Sequence, residues 1–290
     1  MTKTEQARLV VERMQGEWVK PRLPFTLEAG EPGFLGNKVG GIPYLPRDMA
    51  WPTDRRGKGL TLLAQINCAW LKGLPEFPHA GLLQFFIGGT GNLYGMDFDD
   101  QTIPDGFRVL YHEQVDSSVT PEQVQAKRPP DPEEPDLPLM EDAPCRIRFG
   151  AAEEQGITGM DFATPFTFVQ VWNTSFPDEP IQDMWDVLGD IDEDVVEELL
   201  NPHNAESYEG PDIPWHQLGG YPYFTQTDPR ERSGLYGDLD TVLFQLDTDS
   251  QPNKRDFVMW GDCGVGNFFI NHEALKRRDF SRVAYNWDCC

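Results

Sequence analysis

Gly40-Gly41-Ile42-Pro43-Tyr44-Leu45 and Gly219-Gly220-Tyr221-Pro222-Tyr223-Phe224 agree at four of six positions, 179 residues apart. Two further blocks follow in the same order. Leu62-Leu63-Ala64-Gln65-Ile66-Asn67 corresponds to Val242-Leu243-Phe244-Gln245-Leu246-Asp247 at an offset of 180, and Gln84-Phe85-Phe86-Ile87 to Asn267-Phe268-Phe269-Ile270 at 183. A nearly constant offset over three ordered blocks indicates an internal repeat. Its simplest structural account is two related lobes, at about 38–100 and 215–287, with 101–214 inserted between them in one domain spanning 1–290. Gly-Gly-x-Pro is a turn signal, because glycine tolerates positive φ and the residue before proline is pushed to extended geometry.

Outward from the repeat, short apolar or alternating runs bounded by Gly and Pro predict strands at 60–67, 81–87, 107–112, 145–149, 166–172, 241–247, 256–260, 266–270 and 282–287. The N-terminal segment reads instead as an amphipathic helix. Ala7, Val10, Val11, Met14 and Trp18 recur at helical spacing, Thr2 with Glu5 makes a capping box, and Gly16 is the expected stop. Pro129 to Pro144 holds six prolines and six acids, a composition expected to form an extended surface loop. Asp178 to Asn201 holds ten acids and no Lys or Arg, with Ile181, Trp185, Leu188, Ile191, Val195 and Leu199 at helical spacing around Gly189. Two short acidic helices with one solvated face are predicted there. Asp190, Asp192 and Asp194 begin like a calcium loop, but Val195 and Asn201 stand where Gly and Glu are needed, so no metal site is assigned. The predicted class is therefore α+β, with antiparallel-rich sheets in two pseudo-repeated lobes, an N-terminal helix and short acidic helices between the lobes.

The 24 Lys and Arg against 48 Asp and Glu give a formal charge of −24. Such a surface repels phosphate backbones and anionic lipid, which argues against nucleic-acid and membrane partners and leaves a basic protein as the compatible macromolecule. Cys68, Cys145, Cys263, Cys289 and Cys290 are odd in number and form no C-x-x-C, so no disulfide framework is expected. With no apolar h-region or spanning run, the chain is expected in a reducing cytoplasm.

Longer motifs carry a resemblance: K-V-G-G-I-P-Y-L-P (38–46), L-L-A-Q-I-N (62–67), L-P-E-F-P-H-A-G-L-L-Q-F-F-I (74–87), F-R-V-L-Y-H-E (107–113), H-Q-L-G-G-Y-P-Y-F-T-Q-T-D-P-R (216–230), W-G-D-C-G-V-G-N-F-F-I (260–270) and D-F-S-R-V-A-Y-N-W-D-C (279–289). In these the sequence resembles the YwqG-like family, a bacterial domain of unknown function, over nearly its whole length. The Pro-rich segment 129–144 and the extra Cys290 depart from that pattern. The resemblance implies an α+β fold with antiparallel-rich sheets, and no activity.

Chemistry-bearing residues are few. Alternation puts Leu63, Gln65 and Asn67 on one strand face, as it does Leu243, Gln245 and Asp247. An amide in an apolar strand needs partners, so Gln65 and Gln245 either staple the lobes together or line a shared cleft. Gln84 and Asn267 occupy matched positions one block later. Gln226, Asp228 and Arg230 form a dense polar turn, where Arg230 is expected to pair with Asp228 or an acid of the opposite lobe. Asp262-Cys263-Gly264 could expose a thiol, but acidic surroundings raise a thiol pKa, and a hairpin turn is the plainer reading. No phosphate loop, nucleophile elbow or zinc motif is present, and no cofactor is expected. Two functions remain: a non-catalytic binding protein whose acidic face engages a basic protein, an immunity-type inhibitor being one concrete form, or an enzyme or small-ligand binder with a cleft lined by Gln65, Gln84, Gln226, Asp228, Arg230, Gln245, Asp262 and Asn267.

Overall fold

Thr2 Oγ1 accepts a hydrogen bond from Glu5 N while the Glu5 carboxylate accepts from Thr2 N, and this capping box opens helix α1 (Lys3–Glu17). Gln6, Ala7, Val10, Val11 and Met14 are its buried face. Gly16 does not end the helix; it lies in the last turn, and Trp18 is the cap. The structure is a computed structural model that describes residues 1–91, 93–130, 136–140, 144–201, 215–231, 236–249 and 257–289.

Strand β1 (Val19–Glu28) follows at once and is not predicted by the sequence reading, because Pro21 and Pro24 interrupt its pattern. Each proline contributes only its carbonyl at that point, Pro21 to Gly220 N and Pro24 to Gly150 N. The other strands are β2 (Lys38–Val39), β3 (Thr61–Asn67), β4 (Leu82–Ile87), β5 (Phe107–His112), β6 (Cys145–Phe149), β7 (Glu153–Gly156), β8 (Gln217–Gly219), β9 (Thr241–Asp247), β10 (Val265–Ile270) and β11 (Val283–Asp288). Their order is β11-β10-β9-β8-β1-β6-β2-β3-β4-β5, with β7 paired to β1 off that path, and every pairing is antiparallel.

Two predicted strands are corrected. The segment 166–172 lies in helix α3 (Thr164–Ser175), where Thr164, Thr167, Phe168, Val171 and Trp172 form a buried stripe at helical spacing behind Pro165 in the first turn. Its aromatic alternation misled the reading, since Phe166 faces solvent. Of 256–260, residue 256 lies outside the described residues, and the rest contributes only isolated bridges at Val258. Helices α2 (Pro121–Gln125), α4 (Trp185–Leu188), α5 (Glu193–Leu200) and α6 (His272–Lys276), with short 3-10 turns at Cys68–Trp70 and Pro229–Glu231, complete the described elements.

The strongly twisted sheet curls into a nearly closed barrel, so its two halves face each other. Phe85 of β4 stacks on Phe244 of β9 with centroids 4.5 Å apart, and Phe107 of β5 meets Tyr285 of β11 at 5.5 Å. One principal core therefore draws on both repeats: Leu63, Ile66, Leu83 and Phe85 lie in the same cluster as Leu243, Leu246, Phe268 and Tyr285. Two separately packed lobes are not what forms. A second cluster joins α1, α3, α4 and α5 beside the sheet.

Leu63 and Leu243 are each left out of the ladder at a bulge, in β3 against β4 and in β9 against β10. The bulge changes the expected facing. Leu63, Ala64 and Ile66 fill the interior while Leu62 sits with Tyr44 in an outer cluster, and Leu243, Phe244 and Leu246 point in while Val242 points out. The described part of the Pro-rich segment is laid against the sheet: Asp136 N donates to Gly89 O at 3.0 Å and Met259 N to Pro138 O at 2.7 Å. Residues 131–135 and 141–143 of that segment lie outside the described residues.

Candidate functional site

Gly40 and Gly41 have φ of +71° and +78°, and Gly219 and Gly220 both have +70°, values that disfavour any side chain. The turn then runs through a proline, which has no N–H to ladder, so the following tyrosine backbone needs partners from elsewhere. Gln65 Oε1 accepts from Tyr44 N at 2.9 Å, and Gln84 Nε2 donates to Tyr44 O at 2.8 Å. In the second turn Gln245 Oε1 accepts from Tyr223 N at 2.8 Å, and Asn267 Nδ2 donates to Tyr223 O at 2.9 Å. Gln65 pairs with Gln84 across β3 and β4, and Gln245 with Asn267 across β9 and β10. An amide carries both an acceptor and a donor, so two side by side imitate a strand edge for a segment that cannot join one.

The other ends of these amides are spent locally too. Gln65 Nε2 donates to Phe34 O at 2.9 Å and Gly36 O at 3.1 Å, Gln245 Nε2 to Trp215 O at 2.6 Å, and Gln84 bonds Gln65 Oε1 at 2.8 Å and His112 Nε2 at 3.0 Å. The four amides thus tie each turn to its own strands and not one half of the sheet to the other. Asn267 Oδ1 is buried with no partner among the described residues.

Asp228 and Arg230 form a separate structural hub. The Arg230 guanidinium donates from Nε to both Asp228 oxygens at 2.9 and 3.1 Å, and from Nη2 to Asp228 Oδ2 at 2.6 Å and Asp161 Oδ2 at 2.9 Å. It lies between the rings of Phe162 at 4.6 Å and Phe269 at 4.4 Å. Its partners hold its charge firmly against the cost of burial. Asp161, from the segment between the repeats, was not anticipated. Gln226 is tied to the C-terminal strand, its Nε2 donating to Cys289 O at 2.7 Å and its N to Asp288 Oδ2 at 2.9 Å. Asp262 is exposed on the turn before β10, beside exposed Cys263. Burial pushes the thiols of Cys68 and Cys145 up to about 12, which keeps them protonated and unreactive at neutral pH.

The sequence-predicted residues are therefore distributed over two clamps, one ion-pair hub, the Gln226 contact with Asp288 and Cys289, and one exposed turn. Two cavities lie beside the Gly-Gly turns, and none of those residues lines either. The larger, about 710 Å³, sits at Gly40-Gly41 and includes Lys38, Phe34, Trp51 and Arg128; the smaller, about 360 Å³, sits at Gly219-Gly220 and includes Lys20, Asp240 and His272. His272 Nδ1 meets Asp240 Oδ2 at 2.5 Å in that second cavity. A buried trio lies at the end of β9. His216 Nδ1 accepts from Asp247 N at 3.0 Å and its Nε2 faces Asp249 at 3.6 Å, while burial pushes Asp247 up to about 6.

Fold and site together define a mostly β protein, not the α+β class expected from the sequence, with few helices and a nearly closed antiparallel-rich sheet whose paired amides close its own turns. Residues 37–289 match the family described as domain of unknown function (DUF1963), and the chain belongs to that family. No curated protein matches the chain. Among the described residues no helix is long and apolar enough to cross a membrane.

Proposed function

We propose that the chain is a non-catalytic binding protein that uses the acidic helical face at 178–201 to engage a basic protein. The observation that supports it is the segment 178–201, which includes α4 and α5: ten carboxylates in 24 residues, with Trp185 56 % exposed among them. Lys3 to Asp190 at 2.5 Å and Arg8 to Glu198 at 3.5 Å, both exposed, offset little of that charge. A solvated tryptophan in a strongly acidic segment has the makings of an interface anchor with electrostatic steering around it. An immunity-type inhibitor of a cationic protein is the concrete form, and a bacterial YwqG-like cytoplasmic protein its setting. The competing cleft reading draws less support, because its amides are consumed by the chain's own backbone.

We also read the sheet as a diverged tandem duplication. In favour stand the flanking order β2-β3-β4-β5 and β8-β9-β10-β11 on either side of the β1–β6 pair, the corresponding bulges at Leu63 and Leu243, and the equivalent pairings Lys38–Gln65 and Gln217–Gln245.

The binding reading is tested by capture and identification of partners with the wild type and with a Trp185→Ala, Glu193→Gln, Asp194→Asn variant. The wild type is expected to retain a basic protein that the variant does not, and to release it in about 0.5 M salt, where the screening length is roughly 4 Å. Identical retention by both proteins would refute it.

A further inference from the structure

The smaller cavity, about 360 Å³ at the second Gly-Gly turn, falls within the roughly 300–1,000 Å³ range of small-ligand pockets. Much of its described lining is apolar: Val19 and Pro21 of β1, with Leu74, Pro75 and Phe77 from the loop between β3 and β4. Leu74 and Phe77 belong to the principal core, which fixes that wall. The carboxylates in the lining are spent on neighbours. Asp240 meets His272 Nδ1 through Oδ2 and accepts from His272 N and Thr241 Oγ1 through Oδ1, and Glu76 meets Lys276 at 3.2 Å.

Lys20 is the exception. The β1–β7 ladder sets its place opposite Gln155, and its Nζ donates to Asp240 O at 2.8 Å. The ring of Tyr221 lies 4.4 Å from that nitrogen, and among the described residues Lys20 forms no ion pair. A backbone carbonyl accepts from an ammonium or from a neutral amine, so this contact anchors the nitrogen in either state, whereas a carboxylate would hold the extra proton on. Burial pulls the amine below its ordinary pKa and Arg230 acts the same way, against Asp161, Asp240 and Asp228, which pull it up. Lys38 makes the contrast. Burial brings it down to about 8, but it is only 3 % exposed and gives two hydrogen bonds, to Ile42 O at 2.6 Å and Phe34 O at 3.0 Å, where half-buried Lys20 gives one.

An amine anchored at the wall of an apolar cavity, with its lone pair available, is a nucleophile toward carbonyl carbon. We propose that Lys20 reversibly captures a small neutral aldehyde or ketone with an apolar body, holding it as an imine inside this cavity. The nitrogen lone pair attacks the carbonyl carbon and the C–N bond forms as the C=O π pair moves to oxygen. The nitrogen gives up both of its protons, the oxygen takes them and leaves as water, and hydrolysis returns the free amine. The site lies on different elements from the acidic helical face, so the two readings fail separately.

Benzaldehyde with cyanoborohydride, which reduces the imine to a stable benzylamine, is the probe, and peptide masses locate the adduct. At limiting aldehyde and neutral pH, Lys20 is expected to be labelled about fivefold or more faster than exposed Lys58, and ahead of Lys38. The preference over Lys58 should shrink near pH 10, where exposed amines lose their protons too. Pro75→Trp, at an exposed residue of the lining, should obstruct the cavity and bring Lys20 down to the rate of Lys58. Lys20→Arg keeps the charge and a donor for Asp240 O and should remove the fast phase, whereas Trp185→Ala should leave the pattern unchanged. Melting temperatures of the variants establish that they fold. Labelling of Lys20 no faster than Lys58, a preference for Lys38, or a fast phase that survives Lys20→Arg or Pro75→Trp overturns the proposal.

Discussion

Arg230 is the residue whose loss the structure prices most clearly. Its side chain is fully buried with two carboxylates, Asp228 and Asp161, also buried, and its Nη1 reaches Leu239 O at 3.3 Å. Arg230→Met keeps much of the apolar stem between Phe162 and Phe269 but strands two negative charges. Breaking a buried pair in this way costs about 3–5 kcal/mol, because the abandoned charge keeps its desolvation penalty. For a chain of this length unfolding entropy is near 0.6 kcal/mol per degree, so the melting temperature should fall by about 5–8 °C. Arg230→Lys should recover little, since a point ammonium cannot supply the fork that spans both acids. Urea titrations followed by tryptophan fluorescence measure the deficit, and a loss below about 1 kcal/mol would refute the assignment of Arg230 as the partner of two buried charges.

Gln65→Leu leaves Tyr44 N buried without an acceptor and removes donors from Phe34 O and Gly36 O, so a loss of about 2–4 kcal/mol is expected in urea unfolding, with Gln245→Leu costing a similar amount through Tyr223. Gly220→Ala should cost about 2 kcal/mol or more, because the new Cβ meets Gln155 Oε1 and Arg22 Cβ, whereas Gly57→Ala, at φ +77° in open space, should cost only the roughly 1–2 kcal/mol of left-handed strain; equal melting temperatures for the two would contradict this. Asp247 binds its proton more tightly folded than unfolded, with a folded value of about 6 against 3.8, so its contribution to stability is full below about pH 4 and lost as pH rises through 6. The stability of wild type relative to Asp247→Asn should accordingly decline between pH 4 and 7, and parallel profiles would show that this carboxyl is not buried as described.

Much of the sheet was legible because its strands are short apolar runs between Gly and Pro, and the repeat located the equivalent turns and amides. The facing of β3 and β9 was not, since a single skipped leucine in each strand inverts the alternation and no residue type announces a bulge. Pro21 and Pro24 concealed β1, a strand on which they serve only as acceptors. In α3, exposed Phe166 beside buried Phe168 imitated a strand while the true stripe ran at helical spacing. The glutamines were singled out for the right reason, their need for partners, but sequence does not say where the partners lie. That turned on the tyrosine after the proline, whose stranded backbone groups the amides answer.

The paired amides are clamps that hold two equivalent turns shut. Amide hydrogen exchange at Tyr44 and Tyr223 measures it most directly. Both N–H groups stand outside regular strands, yet they should exchange as slowly as the ladder amides of β4 and β10, and Gln245→Leu should release Tyr223 while leaving Tyr44 protected. Rapid exchange of either tyrosine in the wild type, at the rate of the exposed turn at Gly57, would contradict the account.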